Sequence, residues 1–560
     1  MSVSMAYRTR IATCGLRSCG RAAVPFSATA LAAALIFSNA YADQASPAAS
    51  TATIVSKGVT DPSGLVGVDA AKLQKALSAG QITSVKLVQA YLDRIKAYDA
   101  PHEGIPGLRA VIDLNKDALA DAKALDEERA AGKIRGPLHG IPILVKEVIN
   151  IKGMYTPVRE ESFKDLMNPI IAPSDAFTIK KLRDAGAIIL AHTRNGEGTN
   201  NPFDQSKHPG GSSAGNGAGI AAGYAPLGLG EDTGGSTRIP GAWTSTVGFR
   251  PSTGMVSMDG SWAYSYWSDT LGPQALTVSD VATMMDVIAG YDPTYPSSVK
   301  FDLPKTFAAK LDKDYLKGKT IGILEPARRA SEQNVVAAFD EAVKKFEEAG
   351  AKVVSMDVDI SPDPKTAEKD GTQALLEAPG GGLAGWVFPT AEGAADRFFA
   401  SLDADDSDVA KLAEPTDKLT QHDLDVAAKQ PLTPADDEAL GKDLENNRKS
   451  LRNWYGKIVE KYGVDFVVYP TMRTLPPAAA LPKGTFKPQN TQIAPFLGYP
   501  AISIPGGYVD DLPFGVEIMG VKAGDDADVL GAGFAFEQAS NFRRAPASTP
   551  ALKGEMDLIK

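Results

Sequence analysis

Cysteine is almost missing from this chain of 560 residues: there are two, Cys14 and Cys19, both close to the start. The remainder therefore has no disulfide, no thiolate metal site and no cysteine nucleophile. Histidine is scarce too. The five are scattered with no pair at metal-ligand spacing, so no metal site is expected. No phosphate-binding loop or dinucleotide fingerprint occurs in a strand–turn–helix context, and no cofactor is called for. Basic charge is not in excess. Against 68 acids stand 58 Lys and Arg, a net charge of −10, which disfavours nucleic acid and anionic membrane surfaces as partners. An apolar run of the ~20 residues needed to span a bilayer is also lacking.

What positive charge there is opens the chain. Arg8, Arg10, Arg17 and Arg21 precede the first acid, Asp43. The apolar stretch Ala22 to Phe37 follows, and then Ala40-Tyr41-Ala42, an A-x-A site. Residues 1–42 thus read as an export signal, with Met1 or Met5 as the start. An N-terminal anchor is the alternative, but the run is short and holds Pro25. Removing the signal takes the net charge from −10 to −14. It predicts a periplasmic or secreted protein with no stable membrane insertion, stabilised by its core. Residues 43–66, rich in Ala, Ser, Thr and Pro, read as a flexible leader. By length alone the rest exceeds one core of about 250–300 residues and suggests two or more domains.

Strands and helices alternate after the leader. Thr83 or Ser84 caps a helix with Val85, Val88, Leu92 and Ile95 on one face. Residues 113–132 read as a surface helix. Ile141 to Val148 is an apolar, β-branched strand carrying Lys146. Residues 174–191 read as a helix capped by Ser174 and Asp175, then a strand; Ser213 to Gly223 as a helix; Ala225 to Gly230 as a strand. Residues 319–356 form a strand–helix–strand unit with Val336, Phe339, Val343 and Phe346 on the inner helix face. Residues 357–447 are acidic and irregular and read as a helical insert, either shaping substrate access or covering solvated surface. The last strands fall at 466–469, 501–504 and 515–519.

The densest information lies from Gly210 to Pro251, where Gly and Ser are interleaved with Ile220, Leu227 and Leu229. A flexible linker lacks such apolar residues. Glycine here means backbone packed on backbone, or N–H groups aimed at a ligand. The segments Gly210-Gly211-Ser212-Ser213, Gly230-Glu231-Asp232-Thr233-Gly234-Gly235-Ser236, Arg238 and Pro240 resemble the signature of the amidase signature family of serine hydrolases. Gly136 to Glu147, Val247 to Ser252, Asp269 to Pro273, Gly498 to Gly506 and Leu512 to Val516 extend the resemblance across roughly Val68 to Arg544.

The resemblance implies one large α/β/α sandwich over residues 67–560, with a central twisted mixed sheet flanked by helices, a core signature at 136–275 and the insert. It implies an amidohydrolase that cleaves carboxamide or acyl-amide C–N bonds through an acyl-enzyme. Ser236 is then the nucleophile, Ser212 the bridge after a cis peptide bond, and Lys146 the base. The N–H groups of Thr233, Gly234, Gly235 and Ser236 form the oxyanion hole; Ser213, Asp232 and Arg238 support the loop. A lysine base must be uncharged, which calls for desolvation. Glu147 would oppose that, but alternation along the strand turns it away. An Asp232–Arg238 ion pair is expected.

Other readings compete. Alone, Lys146 would more often snorkel to the surface. Gly211-Ser212-Ser213-Ala214-Gly215 is formally the nucleophile elbow of an α/β-hydrolase-type esterase, with Ser213 as nucleophile, but that scheme needs a late histidine and the last, His422, lies in the insert. Ser297-Ser298-Val299-Lys300 is a loop match to S-x-x-K. A catalytically silent amide-binding protein on the same scaffold is the remaining class. Trp262, Tyr264, Tyr266 and Trp267 either pack or wall a site for apolar acyl or amine groups. Export disfavours a tRNA-linked role and favours a small-molecule or peptide amide as substrate.

Overall fold

The structure is a computed structural model that describes residues 54–55, 64–156, 171–196, 198–263, 265, 267–358, 401, 434–480, 490–555 and 558. The expected export signal, most of the leader and most of the 357–447 insert lie outside the described residues.

Among the described residues twelve strands join one mixed sheet. In chain order they are β1 (Ile54–Val55), β2 (Val111–Leu114), β3 (Pro142–Lys146), β4 (Ile188–Thr193), β5 (Leu227–Asp232), β6 (Val247–Arg250), β7 (Thr270–Ala275), β8 (Thr320–Leu324), β9 (Lys352–Met356), β10 (Phe466–Pro470), β11 (Ala501–Val509) and β12 (Leu512–Met519). Their spatial order is β2-β4-β3-β5-β7-β6-β11-β12-β10-β8-β9, with β1 added against β11. One continuous sheet runs through the described residues, flanked by helices as in a large α/β sandwich.

The parallel trio β4-β3-β5 positions the site. Every residue of β3 and β4 is buried, and this is why both read as nearly unbroken apolar runs. Their carboxyl ends lie on one edge, so Lys146, Thr193 and Asp232 finish side by side. Ligands gather at such an edge in α/β sheets.

Helix α1 (Ser84–Tyr98) is capped by Thr83, whose side chain accepts the Lys86 N–H. Of the expected face, Val88 and Ile95 are buried and Val85 and Leu92 are half-buried against the core, and the buried residues also include Leu87, Tyr91 and Arg94. That guanidinium is buried against Glu555, at 2.8 Å, and the carbonyl of Ala222. The expected helix at 113–132 is α2 (Ala118–Ala130), but it starts later than expected, since 113 and 114 belong to a strand, β2; Asp113 breaks the apolar run, and pairing with β4 makes it an edge strand. The cap of α3 (Phe177–Asp184) is not Ser174 or Asp175. Asp175 instead accepts the Lys152 N–H and pairs with Arg183. The strand–helix–strand unit is present: β8 and β9 pair in parallel and are connected through a helix, Gln333–Glu348, that buries Phe339, Val343 and Phe346 as expected, with Val335 buried in place of the half-buried Val336. The insert's proposed end at 447 falls inside a long helix, Pro434–Tyr462.

Candidate active site

Lys146 is the last residue of β3. It is 1% exposed, so it does not snorkel. Its Nζ lies 2.6 Å from Ser212 Oγ and 2.7 Å from Glu231 Oε2. The Gly211–Ser212 peptide bond is cis. Ser212 and Ser236 are each half-buried and so open to a ligand. The two serine loops are tied directly, because the Ser213 N–H donates to the Ser236 carbonyl at 2.9 Å.

Two glycines show why this stretch is glycine-rich. Gly235 has φ +132°, and a Cβ there would meet Thr491 Oγ1 at 2.2 Å. Thr491 in turn donates to the Gly234 carbonyl at 2.5 Å, which pins the turn before Ser236. Gly215, in the helix α4 (Ala214–Ala221), sits where a Cβ would fall 2.3 Å from the Ala110 carbonyl. That closeness lets α4 begin directly behind Ser212 and pack on β3 and β5.

Asp232 ends β5 and organises the turn. Its carboxylate accepts the N–H of Gly235 at 2.9 Å, the N–H of Thr237 at 3.0 Å and the Thr237 hydroxyl at 2.8 Å. Arg238 is bonded to it at 3.0 and 3.2 Å, as the expected ion pair requires. Arg250 adds a contact at 3.2 Å, and Arg238 reaches on to Glu517. All four side chains are fully buried. Burial opposes the charge of Asp232, but Arg238 and Arg250 outweigh it and hold the carboxyl well below its ordinary range. Burial pushes Glu517 upward, against the pull of Arg238. One of the four expected oxyanion donors, the Gly235 N–H, is given to Asp232 instead.

Ser213 fails as a nucleophile. It is fully buried; its hydroxyl donates to the Glu231 carbonyl at 3.1 Å and accepts the Glu231 N–H at 3.3 Å, joining the helix start to β5. It supports the site structurally, as the resemblance implied. His422, needed by the elbow reading, lies outside the described residues. At the S-x-x-K match, Lys300 is exposed, with Nζ 4.9 Å from the centre of the Tyr291 ring. Trp267 packs closely on Gly441, where a Cβ would fall 2.1 Å from its ring. Trp262 is half-buried against the main core; Tyr264 and Tyr266 lie outside the described residues. From the insert, Ser401 is bonded to Asn150 at 2.9 Å, four residues after Lys146.

Glu147 is not bonded to Lys146. Burial raises it to about 8, against the pull of Lys146 and Arg194. The carboxylate that does meet Lys146 is Glu231, which the sequence reading missed along with Arg250 and Glu517. A partial signal existed: Glu231 and Asp232 are consecutive on a strand and so face opposite sides. With Asp232 assigned to Arg238, Glu231 had to point the other way, but only the parallel pairing of β3 and β5 reveals what it meets.

Fold and site together define a class: α/β proteins in which a buried lysine touches a cis-linked serine beside a glycine turn that carries a second serine. A family model described as Amidase matches residues 86–530, and the chain belongs to this family. The structure of a peptide amidase bound to the competitive inhibitor chymostatin is similar at TM-score 0.71 and 30% identity, covering 86% of this chain and 99% of the other. Native peptide amidase from Stenotrophomonas maltophilia superimposes at TM-score 0.68 with 30% identity over 86% of this chain and 98% of that one. Among curated relatives, a glutamyl-tRNA(Gln) amidotransferase subunit from Streptomyces avermitilis is 35% identical over 308 residues, 52% of this chain and 59% of the relative. The chain thus spans less than two thirds of that relative's length. Its counterpart in Alkaliphilus metalliredigens is 31% identical over 80% of this chain and 91% of the relative.

Proposed function

We propose that this protein is a serine amidase that hydrolyses linear carboxamides, with C-terminally amidated peptides as the favoured substrate class. The observation that carries the reading is the 2.6 Å contact between the buried Lys146 amine and the hydroxyl of Ser212, on the loop bonded to that of Ser236. Ser236 Oγ attacks the amide carbon. Its proton passes to Ser212, which can donate and accept at once, and Ser212 gives its own to Lys146. The oxyanion draws on the N–H groups of Thr233, Gly234 and Ser236. The proton then returns through Ser212 to the leaving amine, and water releases the acyl group from Ser236.

The peptide amidases support the peptide-amide reading, since the likeness to them extends over nearly their whole chains. The sequence relatives favour a second reading, one component of a glutamyl-tRNA(Gln) amidotransferase. The two separate in one assay. The first expects the chain alone to release ammonia from an amidated dipeptide, and Ser236→Ala to lower the rate by on the order of 10³-fold or more. No turnover by the chain alone on a broad panel of amides would sink the hydrolase and leave the amidotransferase component and the silent binding protein. Export of the mature chain is part of the proposal, resting on the Ala40-Tyr41-Ala42 site; protein found only inside the producing cells, with an N-terminus at Met1 or Met5, would contradict it.

A further inference from the structure

We propose that Glu231 is the proton partner of Lys146: the two side chains hold one proton between them, and Glu231 takes it when Lys146 accepts the proton relayed from Ser236. This rests on the catalytic reading above and assigns a positioning residue that acts through Lys146.

The geometry carries it. Lys146 Nζ stands between Ser212 Oγ at 2.6 Å and Glu231 Oε2 at 2.7 Å, and the paired side chains are 1% and 5% exposed. An ammonium has no lone pair, so it cannot receive a proton until it has shed one. The amine is buried, and beside Ser212 Oγ the acceptor in contact with it is Glu231 Oε2. The other oxygen, Oε1, accepts the Thr233 hydroxyl at 2.8 Å, which fixes the carboxyl plane and leaves Oε2 for the lysine. Among the described residues, neither oxygen is bonded to a guanidinium. The contrast with the next residue is direct: Asp232 is bonded to Arg238 and Arg250 and is locked as an anion. In a desolvated pair the attraction of opposite charges need not exceed the cost of burying them.

The step balances. An N–H bond of Lys146 breaks and an O–H bond forms on Glu231 Oε2, freeing the nitrogen lone pair. Ser236 loses its proton to Ser212 as its oxygen bonds the amide carbon, and Ser212 passes its own proton to that lone pair. When the C–N bond breaks, the leaving nitrogen takes the proton from Ser212, Lys146 replaces it, and Glu231 returns its proton to Lys146. No proton is gained or lost. The titratable groups facing Lys146 are Glu231 from β5 and Glu147, its own neighbour on β3, which Arg194 also approaches; Ser212 and Thr233 complete the surroundings.

The sign of a pH shift tests it. In the pair, activity disappears only when a second proton binds. Glu231→Gln keeps size and hydrogen bonds but cannot store the proton, so the base exists only after Lys146 has lost its proton to solvent. The low-pH limb of kcat/KM for an amide should therefore move to higher pH in Glu231→Gln, with kcat at neutral pH down by about 10²-fold or more and KM little changed. If Glu231 only held the ammonium by its charge, removing that charge would move the limb to lower pH. That result, or no shift, overturns the proposal. Should Glu231→Gln not fold, the wild-type profile decides: a limb among the carboxyls supports the pair, and a limb among the amines overturns it. A wild-type chain that hydrolyses no amide refutes the underlying function instead, so the two failures are distinguishable.

Discussion

Asp232 receives hydrogen bonds from Gly235, Thr237, Arg238 and Arg250 at once, and so fixes the turn that presents Ser236. Removing one partner leaves a buried charge uncompensated. Asp232→Asn is expected to cost about 3–5 kcal/mol of stability, measured by urea unfolding. A double-mutant cycle with Arg238→Met should give a coupling of roughly 1 kcal/mol or more; zero coupling would mean the pair is incidental. Residues at this scale were legible to different depths. Lys146, Ser212 and Ser236 stand in ordered motifs. Glu517 could not be found, because it reaches Arg238 from 279 residues away and a glutamate on a strand reads like any other. Arg94 was hidden for the same reason: its partner Glu555 lies near the other end of the chain.

At the scale of elements, the Pro434–Tyr462 helix offers a matched pair of tests. Gly441 presses against Trp267, whereas at Gly456 a Cβ would meet nothing within 4 Å. Gly441→Val should destabilise by about 1–3 kcal/mol through overpacking, while Gly456→Ala should be neutral or stabilise by up to about 1 kcal/mol. Equal thermal midpoints for the two variants would show that the contact with Trp267 does not matter. Elements with one strong local signal were readable. β3 and β4 are buried throughout and apolar except at their carboxyl ends, and the 333–348 helix shows its stripe of Phe339, Val343 and Phe346. β2 was not readable, since Asp113 disguises an edge strand whose identity comes from pairing with β4. The cap of Phe177–Asp184 was misread because Asp175 had a better partner in Arg183 than the helix end.

Across the whole molecule, buried carboxyls give stability a pH dependence. Burial raises Asp280 to about 7 and Asp526 to about 6, above their unfolded values near ~3.9. The folded chain then binds more protons than the unfolded one, so this contribution is full below about pH 4 and is lost as pH rises through 6 to 7. Asp280→Asn, whose oxygen can still accept the Ala70 N–H, should raise the thermal midpoint at pH 8 and not at pH 4. A gain at both would contradict the linkage. Asp232 acts with the opposite sign: held below its ordinary range, it stabilises above the unfolded value and loses that contribution only in strong acid.

The sheet brings β3 and β5 together so that one lysine can act on Ser236 through Ser212. Covalent labelling tests this most directly. The protein is treated with a phosphonofluoridate at neutral pH, and the modified peptide is mapped by mass spectrometry. The adduct should sit on Ser236, vanish in Ser236→Ala, and form about 10²-fold or more slowly in Lys146→Met. An adduct on Ser213, or full-rate labelling of Ser236 without Lys146, would contradict the account.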